Sequence, residues 1–290
     1  MNQKELILNT DWDILLILDS CRYDIFKNIY KEILGDIGNL KKTISPSAWT
    51  LGWAIEIFNG ESLDDVIFIS ANPDINSKGH LEKILDLGKR WKYKGQNFDA
   101  RNHFKEIIDV WEFGYDKSID AVHPKTMIDT TIKVVNENSG CRFISKFNQI
   151  HDPYLYYLNK GKKIIEHENF FVRNKIARKG INLRKILNTL FSDETIWKIQ
   201  KRFGYTPSSG IASMWLKYGK EGIIKGHTED LRLILKYIKE IIDCFSSKTI
   251  VITSDHGELL GEYKRYGHHT EKRYKELIEV PWFEIWRNQK

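Results

Sequence analysis

Apolar residues are concentrated along the chain in short segments, each bounded by polar or turn-forming residues. Runs of about four to eight residues of this kind are typical of strands buried on both faces of a parallel sheet. They predict strands at residues 14–18, 66–70, 142–147, 249–253 and, as an edge strand, 280–285.

Between these runs, apolar residues recur at helical spacing. The pattern predicts helices at residues 24–34, 50–58, 124–135 and 230–245. The alternation of strands and helices predicts an α/β fold with a mostly parallel central sheet and helices on both faces. We expect residues 1–290 to form a single domain, with residues 155–225 as a basic helical insertion within it.

Two carboxylates and a histidine stand where predicted strands end. Asp19 follows the first run, and Asp255 and His256 follow the run at 249–253. Because parallel strands bring their carboxyl ends to one edge of a sheet, we expect these three side chains to lie together. Carboxylate oxygens with an imidazole suit Zn²⁺ or Mn²⁺ better than Mg²⁺ or Ca²⁺. The structural alternative is that Asp19 caps the next helix and the Asp-His pair begins an ordinary turn.

Thr50 is the candidate nucleophile, because it stands at the predicted start of a helix, where backbone amides favour an anion. A bound metal ion would lower the pKa of its hydroxyl, as Zn²⁺ lowers that of water. The alternative is a plain capping threonine. Ser45, Ser47 and Cys21 are rival nucleophiles in neighbouring loops.

Five further polar residues are candidates for contacts with substrate or a second metal ion. His151, His268 and His269 lie in predicted loops after strands, where an imidazole can transfer a proton or bind a metal. Arg22 follows Asp19 closely and could hold an oxyanion through two hydrogen bonds, and Asn72 could contact the same anion. Solvated loop histidines and a surface arginine are the alternatives.

The composition narrows the classes of function. The 290 residues are 41% hydrophobic with a formal net charge of +6, and the lysines are spread along the chain. This favours an anionic small-molecule or glycan substrate over dedicated nucleic-acid binding. No run is long enough for a signal peptide or a transmembrane segment, and the three cysteines are far apart, so we expect a cytoplasmic protein. The oligomeric state is left open.

Four segments resemble, in order, motifs of the alkaline phosphatase and sulfatase superfamily, most closely those of sulfatase-like proteins and the phosphoethanolamine and phosphoglycerol transferases. They correspond to the family's first metal-ligand strand, nucleophile segment, His-x-Pro-Tyr/Phe loop and carboxyl-terminal signature. The segments are ILDSCRYD at 17–24, SAWTL at 47–51, QIHDPY at 149–154, and SDHGELLGE at 254–262 with the later GH at 267–268 and VPW at 280–282.

The resemblance implies an alkaline-phosphatase-like fold that holds one or two divalent ions, Zn²⁺ or Mn²⁺. It implies that the metal ligands are Asp19, Thr50, Asp255, His256 and, for a second ion, His268. It also implies that the catalytic residues are Thr50, His151 and His268. Substrate contacts would then come from Arg22, Asn72, His151 and His269.

Thr50 also marks a departure from the family. Sulfatases carry Cys or Ser there and convert it to formylglycine, and Gly52-Trp53 replaces the family's Pro-Ser. The leading hypothesis is therefore a metal-dependent hydrolase of phosphate (or sulfate) esters, acting through Thr50 and a covalent intermediate. The alternatives are a phospho-group transferase acting on a surface glycan or lipid precursor, and a catalytically silent scaffold that keeps the fold.

Overall fold

The chain divides into two compact units. The computed structural model describes residues 2–79, 92–93, 96–159, 191–204, 209–268 and 273–286. The first unit comprises residues 1–150, 231–258 and 268–290, and the second comprises residues 151–230 and 259–267. The insertion predicted at 155–225 falls within the range of the second unit, and its residues 160–190 and 205–208 lie outside the described residues.

A seven-stranded sheet forms the centre of the first unit. Its spatial order is β2-β7-β6-β1-β5-β3-β4, and the strands are β1 (Ile14–Leu18), β2 (Gly38–Ile44), β3 (Leu63–Ser70), β4 (Phe104–Asp109), β5 (Arg142–Lys146), β6 (Ile250–Ser254) and β7 (Glu279–Ile285). The pairs among β6, β1, β5, β3 and β4 are all parallel, whereas β7 is antiparallel to both β6 and β2. The predicted mostly parallel α/β sheet is confirmed.

The prediction of an edge strand at 280–285 is wrong. β7 lies between β2 and β6 in the sheet. Proline has no N–H for a ladder of hydrogen bonds and is usually confined to edge strands. However, the pairing of β7 with β6 begins only at Trp282, one residue after the proline. The Pro281 carbonyl instead accepts a hydrogen bond from the Thr253 hydroxyl at 2.7 Å.

Helices cover both faces of this sheet, as predicted. Leu16 of β1 belongs to one buried cluster, together with residues of the helices at 23–34 and 231–244. Leu15 and Ile17 belong to a second cluster, together with residues of the helices at 3–9 and 50–58. Successive residues of one strand thus face opposite layers. The helices of the first unit are α1 (Gln3–Asn9), α2 (Tyr23–Leu34), α3 (Thr50–Phe58), α4 (Val110–Phe113), α5 (Pro124–Glu137), residues 231–244 of α8 (Gly210–Cys244), and α9 (Lys275–Ile278).

The second unit is mainly helical over its described residues. It contains α6 (Leu155–Leu158), α7 (Asp193–Arg202), residues 210–230 of α8 and a ribbon of Leu259–Leu260 with Tyr266–Gly267. Within it, α8 is interrupted at Gly219, whose φ of 68° is one that glycine adopts without strain.

Two further features of the described residues bear on the sequence-based expectations. None of the helices there combines the length and apolar character needed to cross a bilayer. All three cysteines are free thiols: Cys21 and Cys141 are buried, and Cys244 is exposed.

Candidate metal centre

The register of three adjacent parallel strands brings charged residues to one edge of the sheet. Leu18 of β1 pairs with Ser254 of β6, so Asp19 and Asp255 follow at the same level. On the other side of β1, Ile17 pairs with Lys146, the last residue of β5. The side chains of Lys146 and Asp255 are fully buried, and that of Asp19 is 6% exposed.

The carboxylate of Asp255 is held through both of its oxygens. Oδ1 accepts hydrogen bonds from the backbone amides of His256 at 2.8 Å and Ser20 at 3.4 Å. Oδ2 accepts one from the Thr50 hydroxyl at 2.7 Å and lies 3.1 Å from Nζ of Lys146. Its orientation is therefore set by the backbone after β1 and β6, before any ligand is considered.

The carboxylate of Asp19 faces two different partners. Its Oδ2 accepts a hydrogen bond from Lys146 Nζ at 2.7 Å. Its Oδ1 accepts one from the Ser20 hydroxyl at 3.1 Å and lies 3.7 Å from Nε2 of His256. One oxygen thus contacts the ammonium group, and the other faces the imidazole.

His256 presents an unshared electron pair to these carboxylates. Its Nδ1 lies 2.9 Å from the carbonyl oxygen of Gly257, which can only accept, so the ring proton is on Nδ1 and Nε2 is bare. Burial lowers the pKa of His256, which keeps the ring neutral at pH 7. Nε2 is buried and has no hydrogen-bond partner within the described ranges.

This donor set fits a divalent metal ion. Nε2 of His256 is 3.6 Å from Asp255 Oδ2 and 3.7 Å from Asp19 Oδ1. Zinc ligands at about 2.1 Å in a tetrahedral arrangement would be separated by roughly 3.4 Å. Two carboxylates and a neutral imidazole are also the ligand types that Zn²⁺ and Mn²⁺ accept. The second position after Asp255 has to be glycine, since a Cβ on Gly257 would lie 2.1 Å from the Glu276 carbonyl oxygen.

Thr50 is the first residue of α3 and contacts this donor set directly, through its hydrogen bond to Asp255. α3 is tied to the end of β6 through buried Gln3, which accepts from Trp53 Nε1 at 3.0 Å and donates to the Ser254 carbonyl at 2.7 Å. Gly52 allows the close packing behind Thr50, because a Cβ there would lie 2.5 Å from Ser47 Oγ. The arrangement can therefore hold a hydroxyl oxygen beside a metal ion.

The three rival nucleophiles, Cys21, Ser45 and Ser47, are in different environments from Thr50. Burial raises the pKa of the Cys21 thiol well above its usual value, so Cys21 stays protonated. The Ser45 hydroxyl lies within hydrogen-bond distance of the backbone carbonyls of Ser47 (2.8 Å) and Asp255. Ser47 is also buried.

His268 and Glu258 lie beside this centre in the first unit. The ring of His268 is 4.5 Å from that of His256, and its Nδ1 is 3.3 Å from Oε1 of Glu258. The Glu258 side chain is only 3% exposed. Glu258 was not singled out from the sequence, although it follows the Asp-His-Gly segment directly.

Arg22 is buried beside Glu258. Its Nη1 donates to the Glu258 carbonyl at 3.3 Å, and its Nε and Nη2 donate to the Asp24 carboxylate at 3.0 and 2.7 Å. These contacts hold the backbone after Asp255 and His256 in place. The role of Arg22 in holding an oxyanion stays a prediction.

The other predicted substrate residues are Asn72, His151 and His269. Asn72 lies in the turn after β3, where its Oδ1 accepts from the Asp74 amide at 2.8 Å. His151 belongs to the second unit, with Nδ1 2.7 Å from the Asp152 carbonyl oxygen. His269 lies outside the described residues. The roles assigned to these residues stay predictions.

Lys146 is the residue of this site that the sequence reasoning missed. Burial alone would lower its pKa, but the carboxylates of Asp19 and Asp255 outweigh burial and hold the pKa above its usual value. The ammonium is therefore charged at neutral pH. Its position at the end of a predicted strand was the only signal for it in the sequence.

Comparison with known proteins shows likeness of structure. No protein-family model matches the chain, and no curated protein matches it. The soluble domain of lipooligosaccharide phosphoethanolamine transferase A from Neisseria meningitidis superposes with a TM-score of 0.52 at 13% identity, over 94% of this chain and 75% of that domain. A phosphonate monoester hydrolase of Agrobacterium radiobacter superposes with a TM-score of 0.50 at 12% identity, over 94% of this chain and 68% of the hydrolase.

A sulfatase-type structure gives a similar result. A putative sulfatase from Bacteroides thetaiotaomicron superposes with a TM-score of 0.51 at 11% identity, over 94% of this chain and 63% of the sulfatase. At such identities the likeness establishes the fold. The chain has the alkaline phosphatase and sulfatase fold that its sequence motifs predicted.

Proposed function

We propose that the protein is a metal-dependent enzyme that cleaves phosphate esters, with Thr50 as its nucleophile. The observation that carries this proposal is the bare Nε2 of His256, buried at 3.6 and 3.7 Å from the Asp255 and Asp19 carboxylates. A buried nitrogen without a hydrogen bond is costly unless a ligand takes its electron pair. The fold shared with a phosphonate monoester hydrolase and a phosphoethanolamine transferase supports phospho-group chemistry.

Asp19, Asp255 and His256 would hold the ion, with Thr50 Oγ1 beside it. When bound there, a divalent ion would lower the pKa of the Thr50 hydroxyl and offset negative charge in the transition state. The hydroxyl proton of Thr50 would be released to solvent when the ion binds. Thr50 then attacks phosphorus through Oγ1, and the bond from phosphorus to the leaving alcohol breaks as the new bond forms. His268 donates a proton to the departing oxygen.

The second step returns the enzyme to its starting state. A water molecule attacks the phosphorus of the phosphothreonine, and the bond to Oγ1 of Thr50 breaks. His268, neutral after the first step, accepts the proton of the attacking water, and the freed Thr50 oxygen returns to its place beside Asp255. The reaction therefore needs no group beyond the ester and water.

A transferase is the second candidate. It shares the first step, but an acceptor alcohol on a glycan or lipid precursor replaces water in the second. The fold likeness to the phosphoethanolamine transferase domain from Neisseria meningitidis favours it. Sulfate esters are the less favoured substrates, because Thr50 stands where sulfatases carry the precursor of formylglycine.

The test is turnover of a panel of phosphomonoesters, phosphodiesters and sulfate esters with Zn²⁺ or Mn²⁺ present. Thr50→Ala should lose at least about 10³-fold in kcat/KM, because it removes the hydroxyl that contacts Asp255 Oδ2 and is assigned the attack on phosphorus. Thr50→Ser should keep part of the activity. Thr130→Ala is the matched control, since that hydroxyl only bonds the Thr126 carbonyl in α5.

The same panel separates the candidates. Product formed without an added alcohol supports the hydrolase, and product only with an alcohol supports the transferase. Full activity of Thr50→Ala would remove Thr50 as the nucleophile. Absence of turnover together with absence of metal uptake would favour the silent scaffold.

A further inference from the structure

Lys146 is a buried cation placed between two carboxylates that the proposed function assigns to a metal ion. Its Nζ has three acceptors within reach: Asp19 Oδ2 at 2.7 Å, the Phe147 carbonyl at 3.0 Å and Asp255 Oδ2 at 3.1 Å. An ammonium group has three protons, so all of them are used. The side chain is fully buried.

The geometry divides the carboxylates between Lys146 and His256. Asp19 gives Oδ2 to the ammonium and turns Oδ1 toward His256 Nε2. Asp255 places its Oδ2 between both of them, at 3.1 Å from Nζ and 3.6 Å from Nε2. The ammonium thus contacts the carboxylates on one side and leaves the side facing the imidazole for a second cation.

We infer that Lys146 is a built-in cation with two roles. In the metal-free protein it holds Asp19 and Asp255 together, and in the protein with one bound metal ion it occupies the position that a second metal ion would take. The inference rests on the proposed metal site and deepens it. Two buried carboxylates and one ammonium leave one net negative charge, which a single divalent ion turns positive. With one divalent ion the cluster carries a net charge of +1, which suits an anionic ester. A second divalent ion would be repelled by this positive charge.

Two effects follow, one on metal affinity and one on the stability of the metal-free protein. Like charges repel, so Lys146 weakens the affinity of the site for a divalent ion. In the metal-free protein, the ammonium prevents two carboxylates from being buried unpaired, which stabilises the fold. Lys146 is therefore a positioning residue. It lowers the affinity for the metal ion but keeps the two carboxylates in place before the ion binds.

The test is Zn²⁺ affinity of the purified protein, measured by competition with a chromophoric chelator, for wild type, Lys146→Met and Lys146→Arg. Met keeps the length of the side chain without the charge, and Arg keeps the charge. Lys146→Met should bind Zn²⁺ at least about tenfold more tightly, because the repulsion is removed. Lys146→Arg should stay within a fewfold of wild type. The bound zinc should remain one equivalent at this site in wild type.

Thermal unfolding in a chelator gives a second readout. Metal-free Lys146→Met should unfold at a lower temperature than metal-free wild type, and added Zn²⁺ should reverse the order. Equal or weaker zinc binding by Lys146→Met would overturn the inference while leaving the metal site intact. Zinc uptake by none of the three proteins would overturn the proposed metal site and this inference with it. If Lys146→Met does not fold in chelator, refolding with Zn²⁺ still supports the inference, and failure in both conditions contradicts it.

Discussion

Two buried carboxylates of each unit can be compared, and their hydrogen-bonding needs are met in different ways. In the second unit, Asp230 accepts from the amides of Leu155 and Tyr156 at 2.7 Å each. Asp193 there contacts Arg265 at 2.7 Å and the Tyr266 amide at 2.9 Å. These partners are all donors of the protein itself, and they cap α6 and fasten the ribbon to α7.

In the first unit, the donors of the protein do not satisfy all the electron pairs of the group formed by Asp19, Asp255 and His256. Asp19 and Asp255 have a hydroxyl, an ammonium and backbone amides, but they also face His256 Nε2, which brings an electron pair instead of a proton. Three groups that all present electron pairs to one point need a cation between them. Burial alone therefore does not separate a structural carboxylate from a ligand, whereas the chemistry of the facing atoms does.

The largest expected effect comes from breaking the first group. Asp19→Asn removes a charge while keeping the size of the side chain, and it should abolish stable zinc binding and lower kcat/KM at least about 10³-fold. Metal-free stability should change little, because Lys146 keeps Asp255 as a partner. Metal content and thermal unfolding in a chelator check both parts. Retained zinc with lost activity would assign Asp19 to the substrate instead of the metal.

A structural carboxylate should behave in the opposite way. Asp230→Ala leaves two buried amides at the start of α6 without their acceptor and should cost about 2–3 kcal/mol in the free energy of unfolding. Its zinc content should equal that of wild type. Asp243→Ala is the matched control, since this residue of the same helix is exposed. Denaturant unfolding measures the cost. Loss of zinc in Asp230→Ala would contradict the distinction between the structural carboxylates and the metal-binding carboxylates.

The ion pair of Asp193 should contribute less. Arg265→Gln removes a charge-assisted hydrogen bond but leaves the bond from the Tyr266 amide, and both side chains keep some exposure to water. We expect a cost of about 1–2 kcal/mol, with no change in metal content. The same denaturant titration measures it. A cost equal to that of Asp230→Ala would mean that the pair contributes more than its exposure suggests.

The smallest effect is a pH dependence confined to the second unit. Burial outweighs the two amide hydrogen bonds and raises the pKa of Asp230 from 3.8 to about 7. The folded protein therefore holds a proton that the unfolded chain has released, so this contribution to stability is full at acid pH and is lost as pH rises through about 7. Hydrogen exchange at Leu155 and Tyr156, corrected for intrinsic rates, should lose up to about tenfold in protection between pH 6 and 8.

Asp230→Asn is the control for that measurement, because it cannot ionise. Its exchange protection should be flat over the same range. An unchanged pH dependence in the variant would assign the titration to another group.

Much of the first unit could be predicted from the sequence. Apolar runs located β1 and β6, and with them Asp19, Asp255 and His256, because residues that follow two adjacent parallel strands must meet at one sheet edge. Helical spacing located α3, whose first residue is Thr50. In each case a local pattern determined a position that the sheet then brought into contact.

Other features depended on contacts that local patterns do not report. Lys146 is buried only because β5 pairs with β1 on one side and β3 on the other, which places its ammonium between two carboxylates. β2 has a polar sequence and forms through its pairing with β7, which is why β7 is not an edge strand. Glu258 became a candidate only when its buried carboxylate was found beside His268.

The most direct test of the account is the metal content of the purified protein, measured by elemental analysis for wild type and Asp255→Ala side by side. The account predicts one equivalent of Zn or Mn in wild type, retained through desalting, and none in the variant. Wild-type protein that holds no divalent metal, and takes up none on dialysis against Zn²⁺ or Mn²⁺, would contradict it.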